Sequence, residues 1–430
     1  MRPRLAAAVL LLALWAACPA ARPAGAAAPS FEDFDRRARE GEHLSVVFFG
    51  ASLTWGANAS DPQLTSYRAL VGQRLEAAYP KARFNFHDAA IGGTGSQLGV
   101  FRLGRDVLAR KPDLVFLDFS ANDDIYSASP ETLASYEAIV RRTITEGRAP
   151  VVIAVFPFMW NVASGSTDGM KRREAHLEIA KAYNVPAGDA ISLAIERVKA
   201  GATTIQKIWP VDGVHPCDEG YAVFADAAWA AFQDGVRRKA VCAPPEKMLF
   251  APTYMKSARV RVSALAPLPK GWRVGRPNVV SAFFDMLMSR WLDDETVASR
   301  FAEIQEEGKK EKAAQEVGRL RVRFSGQVVL VYGESTPASA KFRARIDGRA
   351  VEHKPEKDKP PVDFWDAGSL ARTVKGNTFL AVVIAEGLDP AAEHTLEIEP
   401  LFKDETDQEL RFESICVAGG EARVAALPPE

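Results

Sequence analysis

Between residues 42 and 238, short apolar runs alternate with longer stretches of helical spacing. Residues 44–49, "DLVFLDFS" (113–120) and "PVVIAVFPF" (150–158) are nearly continuous apolar runs. A strand that lacks polar alternation must be covered on both faces. "SYRALVGQRLEAAYP" sets Leu70, Val71, Leu75 and Ala78 on one side of a helix. "SPETLASYEAIVRRTITEG" opens with Ser and Pro, carries Glu131 and stops at Gly147, so it is a punctuated helix. "MKRREAHLEIAKAYNVP" and "GYAVFADAAWAAFQDGVRR" read as two more. Buried strands alternating with amphipathic helices imply an α/β domain around a parallel sheet. In such sheets, reactive groups collect in loops at the carboxyl ends of the strands.

The pattern changes after "CAPPEK" (242–247). Ala258, Val260 and Val262 alternate with Arg259, Arg261 and Ser263, which predicts one strand. The stretch from Gly271 to Gly318 begins apolar and becomes strongly charged, and its charged part is expected to be a solvated helix. Leu320, Val322 and Phe324 mark a strand, and Phe342, Ala344 and Ile346 another, closed by the hairpin signal Asp347-Gly348. "FLAVVIAEG", "HTLEIEP" and "ELRFESICV" supply more, giving a small antiparallel β-sandwich with "EKDKPP" as an exposed loop. The expected organisation is a leader (1–28), an α/β domain (29–245), a connecting segment with one strand and helices (246–317) and a β-sandwich (318–425).

The leader has Arg2 and Arg4, then "LAAAVLLLALWAA", then small residues ending in "PAGAAAPS". This is the layout of a secretory signal peptide cut near Ala26 or Ala28. The apolar core is shorter than the ~20 residues that cross a bilayer, and no later segment is long and apolar enough to do so. The expected location is periplasmic or extracellular; an uncleaved anchor and a lipoprotein attached at Cys18 are the alternatives. Trp15 stands where a lipid-attachment box favours an aliphatic residue. An oxidising compartment permits one disulfide among Cys217, Cys242 and Cys416, with Cys217–Cys242 the nearer pair in sequence, or three separate thiols. The formal net charge of -1 gives no electrostatic reason to expect nucleic acid. No C-x-x-C or H-x-x-x-H pattern points to zinc, and no cofactor is expected. The oligomeric state is not encoded in any visible pattern.

Four loops carry groups suited to acyl transfer. In "VVFFGASLTWG", Ser52 follows a strand. By itself it reads as a helix cap or turn residue, and Thr54 breaks the G-x-S-x-G elbow of α/β-hydrolases. A serine needs a base, and of six histidines His215 stands out in "WPVDGVHPCDEGY". Asp212, three residues earlier, can accept from Nδ1–H and leave Nε2 free, although a polar surface turn would look the same. "DAAIGGTGSQLG" offers backbone N–H groups that can closely approach an oxyanion; without a Lys-Ser/Thr end it is a poor phosphate loop. "DFSANDD" places Asn122 just past a buried strand, as an amide donor or an ordinary turn residue.

In this order, the four blocks resemble the SGNH hydrolases, or GDSL esterase/lipase superfamily, over about residues 42–238. The resemblance implies a flavodoxin-like three-layer α/β/α domain, here followed by a jelly-roll-like β-sandwich. "GASLT" makes Ser52 the nucleophile. "AAIGGTG" makes Gly93 the oxyanion glycine, with Gly92 its competitor. "SAND" makes Asn122 the oxyanion asparagine, and "DGVHP" makes Asp212 and His215 the acid and base. The Ser52 N–H would join the oxyanion hole. Two residues depart from the family pattern: Ala51 replaces the usual Asp, and Ala121 follows Ser120 where glycine is common.

The resemblance implies a serine ester hydrolase. For a chain with a leader and a second β-domain, the resemblance further implies an exported carbohydrate O-acetylesterase with an acylated glycan as substrate. Lipase, arylesterase or thioesterase chemistry on the same residues is the enzymatic alternative. An inactive glycan-binding protein, or an envelope protein whose function resides in the β-domain, is the non-enzymatic one. Trp272, Trp291 and Trp365 offer flat faces for sugars, though packing explains each as well. "FPFMWNVASGSTDGM" (156–170) reads as a rim loop, in which Phe158, Met159 and Trp160 either shape a small acyl pocket or simply pack.

Overall fold

The computed structural model describes residues 28–278, 292–306, 309–355, 358–403 and 407–427. The leader, apart from its last residue, and Trp291 lie outside these ranges, as do the first two residues of "EKDKPP".

Five parallel strands form the first sheet: β1 (His43–Gly50), β2 (Arg83–Ala90), β3 (Leu114–Leu117), β4 (Val151–Val155) and β5 (Ala187–Asp189). Their order is β2-β1-β3-β4-β5, the doubly wound arrangement whose chain reversal lies between β1 and β3. β3 and β4 are buried throughout, as their unbroken apolar sequence requires. β2 is a half-exposed edge strand, "RFNFHDAA", and its polar alternation hides it from a search for buried runs.

Among the described residues, ten α-helices precede residue 240: α1 (Phe31–Glu40), α2 (Ser52–Trp55), α3 (Tyr67–Ala78), α4 (Ser96–Asp106), α5 (Pro130–Thr145), α6 (Met159–Ala163), α7 (Lys171–Ala182), α8 (Ala190–Lys199), α9 (Ile205–Ile208) and α10 (Asp218–Arg237). Successive residues of a strand face opposite sides. Phe48 meets Tyr67 of α3 and stacks on Phe116, which in turn reaches Phe232 of α10. Its neighbour Phe49 lies under the guanidinium of Arg102 on α4. The sheet is therefore clothed by α3 and α10 on one face and α4 on the other.

The remaining strands are β6 (Ser257–Arg261), β7 (Trp272–Gly275), β8 (Glu295–Ser299), β9 (Phe301–Glu306), β10 (Lys309–Ala314), β11 (Leu320–Ser325), β12 (Val328–Ser335), β13 (Lys341–Ile346), β14 (Arg349–Ala350), β15 (Trp365–Asp366), β16 (Thr378–Ala385), β17 (His394–Leu401), β18 (Glu409–Ala418) and β19 (Arg423–Ala426). One antiparallel sheet runs β14-β13-β17-β11-β19 with β15 on β13; the other runs β16-β12-β18-β8-β7 with β6 on β18. Asp347 and Gly348 both take positive φ in the β13–β14 turn, as the hairpin signal requires.

The charged stretch expected to be helical is not. β8 pairs with β18, and β9 pairs with β10. Residues rich in Glu, Lys, Gln and Ala favour helix only weakly, and strand pairing overrides that preference. The segment 246–317 thus supplies strands β6, β7 and β8 to the sandwich itself.

β12 and β18 are buried on both faces. Val329, Val331, Ile415 and Val417 join the sandwich core. The alternate residues Val328, Leu330, Tyr332, Cys416 and Ala418 join the core of the α/β domain. Arg102 is wholly buried near this junction, paired with Asp106 at 2.8 Å. Arg259 of β6 lies over Tyr332 and pairs with Glu413 at 2.8 Å.

Candidate active site

The loops after β1, β2 and β3 and the loop before α10 carry the four sequence blocks. β1 ends at Gly50, where a β-carbon would lie 2.2 Å from Thr54 Oγ1 and 2.5 Å from the Asp118 carbonyl. Only glycine lets the chain turn there from strand into α2. Ser52 is the first residue of α2 and is 2% exposed. The first N–H groups of a helix lack intrahelical acceptors, so those of Ser52 and Leu53 are spared for other partners. Ala51 is fully buried, and its methyl occupies a site that asks for no polar group.

His215 Nε2 is 3.0 Å from Ser52 Oγ, across 163 residues of chain. On the other side of the ring, Nδ1 is 3.3 Å from Asp212 Oδ2. Asp212 Oδ1 accepts the N–H groups of His215 at 2.6 Å and Val214 at 2.7 Å. Partial burial disfavours the Asp212 charge, but these N–H groups and the Asn58 amide outweigh it and hold the carboxyl below its usual range. The Asp212–His215 unit is therefore set up with an ionised acid behind the ring.

The other histidines offer no such geometry. His394 also has an aspartate on Nδ1, Asp347 at 2.8 Å, but its Nε2 sits 3.0 Å from the Asp389 carbonyl, not near a hydroxyl. His176 is buried and stacks on Tyr136 at 3.7 Å, and burial holds it neutral.

Gly93 lies in the loop after β2 with φ +76°, a left-handed conformation that disfavours a side chain, whereas Gly92 is not in that region. Asn122 is half-buried in the loop after β3. Below it, Ser120 Oγ donates to Asp118 at 2.6 Å and accepts the Phe156 N–H at 2.8 Å, locking that loop to the end of β4. Burial pushes the Asp118 carboxyl up to about 7. Asp123 accepts the Ser96 N–H at 3.0 Å, and burial pushes it up to about 6.

Sequence reasoning missed Asn58, whose amide donates to Asp212 Oδ2 at 2.8 Å. Only its position soon after the serine block could have drawn attention to it. Trp160 is 47% exposed, and its ring flanks Gly213 of the Asp212–His215 loop. The neighbouring Met159 N–H donates to the Gly213 carbonyl at 2.8 Å. By contrast, Trp272 and Trp365 are buried: Trp272 donates to the Gly318 carbonyl, and Trp365 stacks on Phe342 and His353. The Cys217–Cys242 disulfide is not formed; Cys217 Sγ reaches the Lys207 carbonyl, and Cys242 and Cys416 are buried thiols. Among the described residues, no group of three or more His, Cys, Asp or Glu is arranged to hold a metal ion. No helix among them is long and apolar enough to cross a membrane.

Residues 48–223 match the model of the GDSL-like Lipase/Acylhydrolase family. This segment is a GDSL-like acylhydrolase domain. Among solved structures, a two-domain esterase (CEX) active on acetylated mannans is 24% identical, with a TM-score of 0.65. The match covers 91% of this chain and 95% of that one, so the arrangement of acylhydrolase domain and β-domain is shared as a whole. The acetylxylan esterase Axe2 from Geobacillus stearothermophilus is 22% identical over 45% of this chain and 96% of its own, with a TM-score of 0.37. No curated protein sequence matches the chain significantly. The acylhydrolase domain makes the protein a carboxylic ester hydrolase, and the serine, histidine and aspartate described above lie within the matched residues.

Proposed function

We propose that the protein is an exported serine esterase that removes O-acetyl groups from a polysaccharide. The observation that carries the chemistry is the 3.0 Å approach of His215 Nε2 to Ser52 Oγ, with Asp212 on the opposite ring nitrogen. Ser52 Oγ bonds to the ester carbonyl carbon as its proton passes to His215 Nε2. The carbonyl oxygen becomes an oxyanion held by the N–H groups of Ser52 and Gly93 and by the Asn122 amide. Collapse breaks the bond to the sugar oxygen, which leaves with the proton from His215. Water then attacks the acetyl-Ser52 ester with His215 again as base, and acetate departs.

The substrate class rests on separate support. The structurally similar two-domain esterase is active on acetylated mannans, and its likeness spans both domains. The leader pattern of residues 1–28 is that of an exported protein. Trp160 and Val211, 75% exposed, give the His215 side of the site an apolar rim of the kind that receives a sugar face.

A fluorophosphonate probe should label the wild-type protein at Ser52 and leave Ser52→Ala unlabelled. The wild type should release acetate from one or more of acetylated mannan, xylan and related glycans. Turnover retained in Ser52→Ala overturns the nucleophile, and faster cleavage of octanoyl than acetyl esters overturns the acetyl assignment.

A further inference from the structure

Asp212 is the exposed member of the Ser52–His215–Asp212 set, with 41% of its side chain open to solvent. An exposed carboxylate is free to rotate toward water, so something must aim it. His215 N–H and Val214 N–H occupy Oδ1. Oδ2, the oxygen beside the imidazole, is held by one further donor, Asn58 Nδ2 at 2.8 Å. The same amide lies 3.4 Å from the His215 carbonyl, so one side chain touches both ends of the acid–base loop.

Asn58 is itself held in an uncommon geometry. Its φ is +66°, a left-handed conformation that asparagine tolerates better than most residues. The chain on either side is fastened to the start of α10, three residues beyond His215. Asp218 accepts Ser60 N–H at 2.8 Å, Ser60 Oγ at 2.5 Å and Thr65 Oγ1 at 2.8 Å. Tyr221 donates to the Ala57 carbonyl at 2.6 Å. Both the loop bearing Asn58 and the loop bearing Asp212 and His215 therefore hang from one helix end.

We propose that Asn58 is a positioning residue for the esterase reaction, fixing Asp212 Oδ2 against the His215 ring, and that Asp218 fixes Asn58 in turn. The proposal rests on the Ser52–His215–Asp212 reading above. In this role Asn58 acts through Asp212, to which its amide is bonded, and not on the reacting atoms themselves. Its contribution belongs to the step in which His215 takes the proton, not to substrate binding.

The decisive variant is Asn58→Gly, because glycine accepts φ +66° and only the amide is lost. With p-nitrophenyl acetate, kcat should fall about ten-fold with KM unchanged and melting temperature retained. Asn58→Asp has the same shape but no donor at that position, and should be at least as slow. The discriminating measurement is a double-mutant cycle. In an Asp212→Asn background, Asn58→Gly should cost less than two-fold, since the carboxylate it aims is gone. A general structural role would carry the same ten-fold loss into that background. Asp218→Asn should reproduce part of the Asn58→Gly loss. Wild-type kcat in Asn58→Gly and Asn58→Asp, or full additivity in the cycle, overturns the proposal. Unlabelled Ser52 in the wild type under a fluorophosphonate probe overturns the underlying reading instead, so the two failures are told apart.

Discussion

The Asp123 carboxylate accepts the Ser96 N–H at 3.0 Å and ties the loop bearing Asn122 to the helix that follows Gly93. The two loops assigned as oxyanion donors are thereby mechanically joined. Asn122→Ala should lower kcat by about 10²–10³ with little change in KM or melting temperature, the usual cost of one such donor. Steady-state kinetics beside a thermal melt checks this. A wild-type kcat with an intact fold would remove Asn122 from the hole.

Gly50 faces Thr54 and the Asp118 carbonyl at distances that exclude a β-carbon. Gly50→Ala should destabilise the protein by roughly 1–3 kcal/mol, as overpacking does, and should cost activity beyond that because Ser52 is displaced. Denaturant unfolding and fluorophosphonate labelling of the remaining folded protein measure the two effects separately.

Trp160 stands on the rim beside Gly213. Trp160→Ala should raise KM for an acetylated oligosaccharide by about five- to ten-fold, the value of one lost ring-stacking contact, and spare p-nitrophenyl acetate. Equal losses on both substrates would mean that the indole only props the Asp212–His215 loop.

A buried pair in the β-domain sets a pH dependence of stability. Arg411 Nε lies 2.8 Å from both Glu295 and Glu334. Burial first, and the adjacent Glu334 second, push the Glu295 carboxyl well above its usual range. A raised value means that the native state holds the proton more tightly than the unfolded chain. The resulting stabilisation is complete below the ordinary 4.5 and is lost as pH rises toward the folded value. Asp118 and Asp123, also raised by burial, act in the same sense. Glu295→Gln should flatten the decline in melting temperature between about pH 5 and 9. Parallel curves for variant and wild type would show that Glu295 is ionised in the native state.

The parts of this molecule whose causes are local are legible in its sequence. β3 and β4 announce themselves because continuous apolar runs have few other uses. Asp212 and His215 are three residues apart, so one loop carries their relationship. Asn58 was invisible because its partner is 154 residues away and a polar turn gives no hint of what it faces. β2 was missed because an edge strand needs only one apolar face. β8, β9 and β10 went against local preference, which loses to pairing with distant strands. The apolar sequence of β12 says that both sides are covered without saying by what.

That last point bears on how such a chain can evolve. Side chains of β12 and β18 point alternately into two different interiors, so the partition between catalytic half and accessory half runs through the thickness of a single sheet. An accessory unit joined in this way is not a cartridge to be traded among enzymes by recombination at a linker. Any replacement would have to bring apolar side chains matched to the α/β core that β12 and β18 complete, or leave that core open on one side.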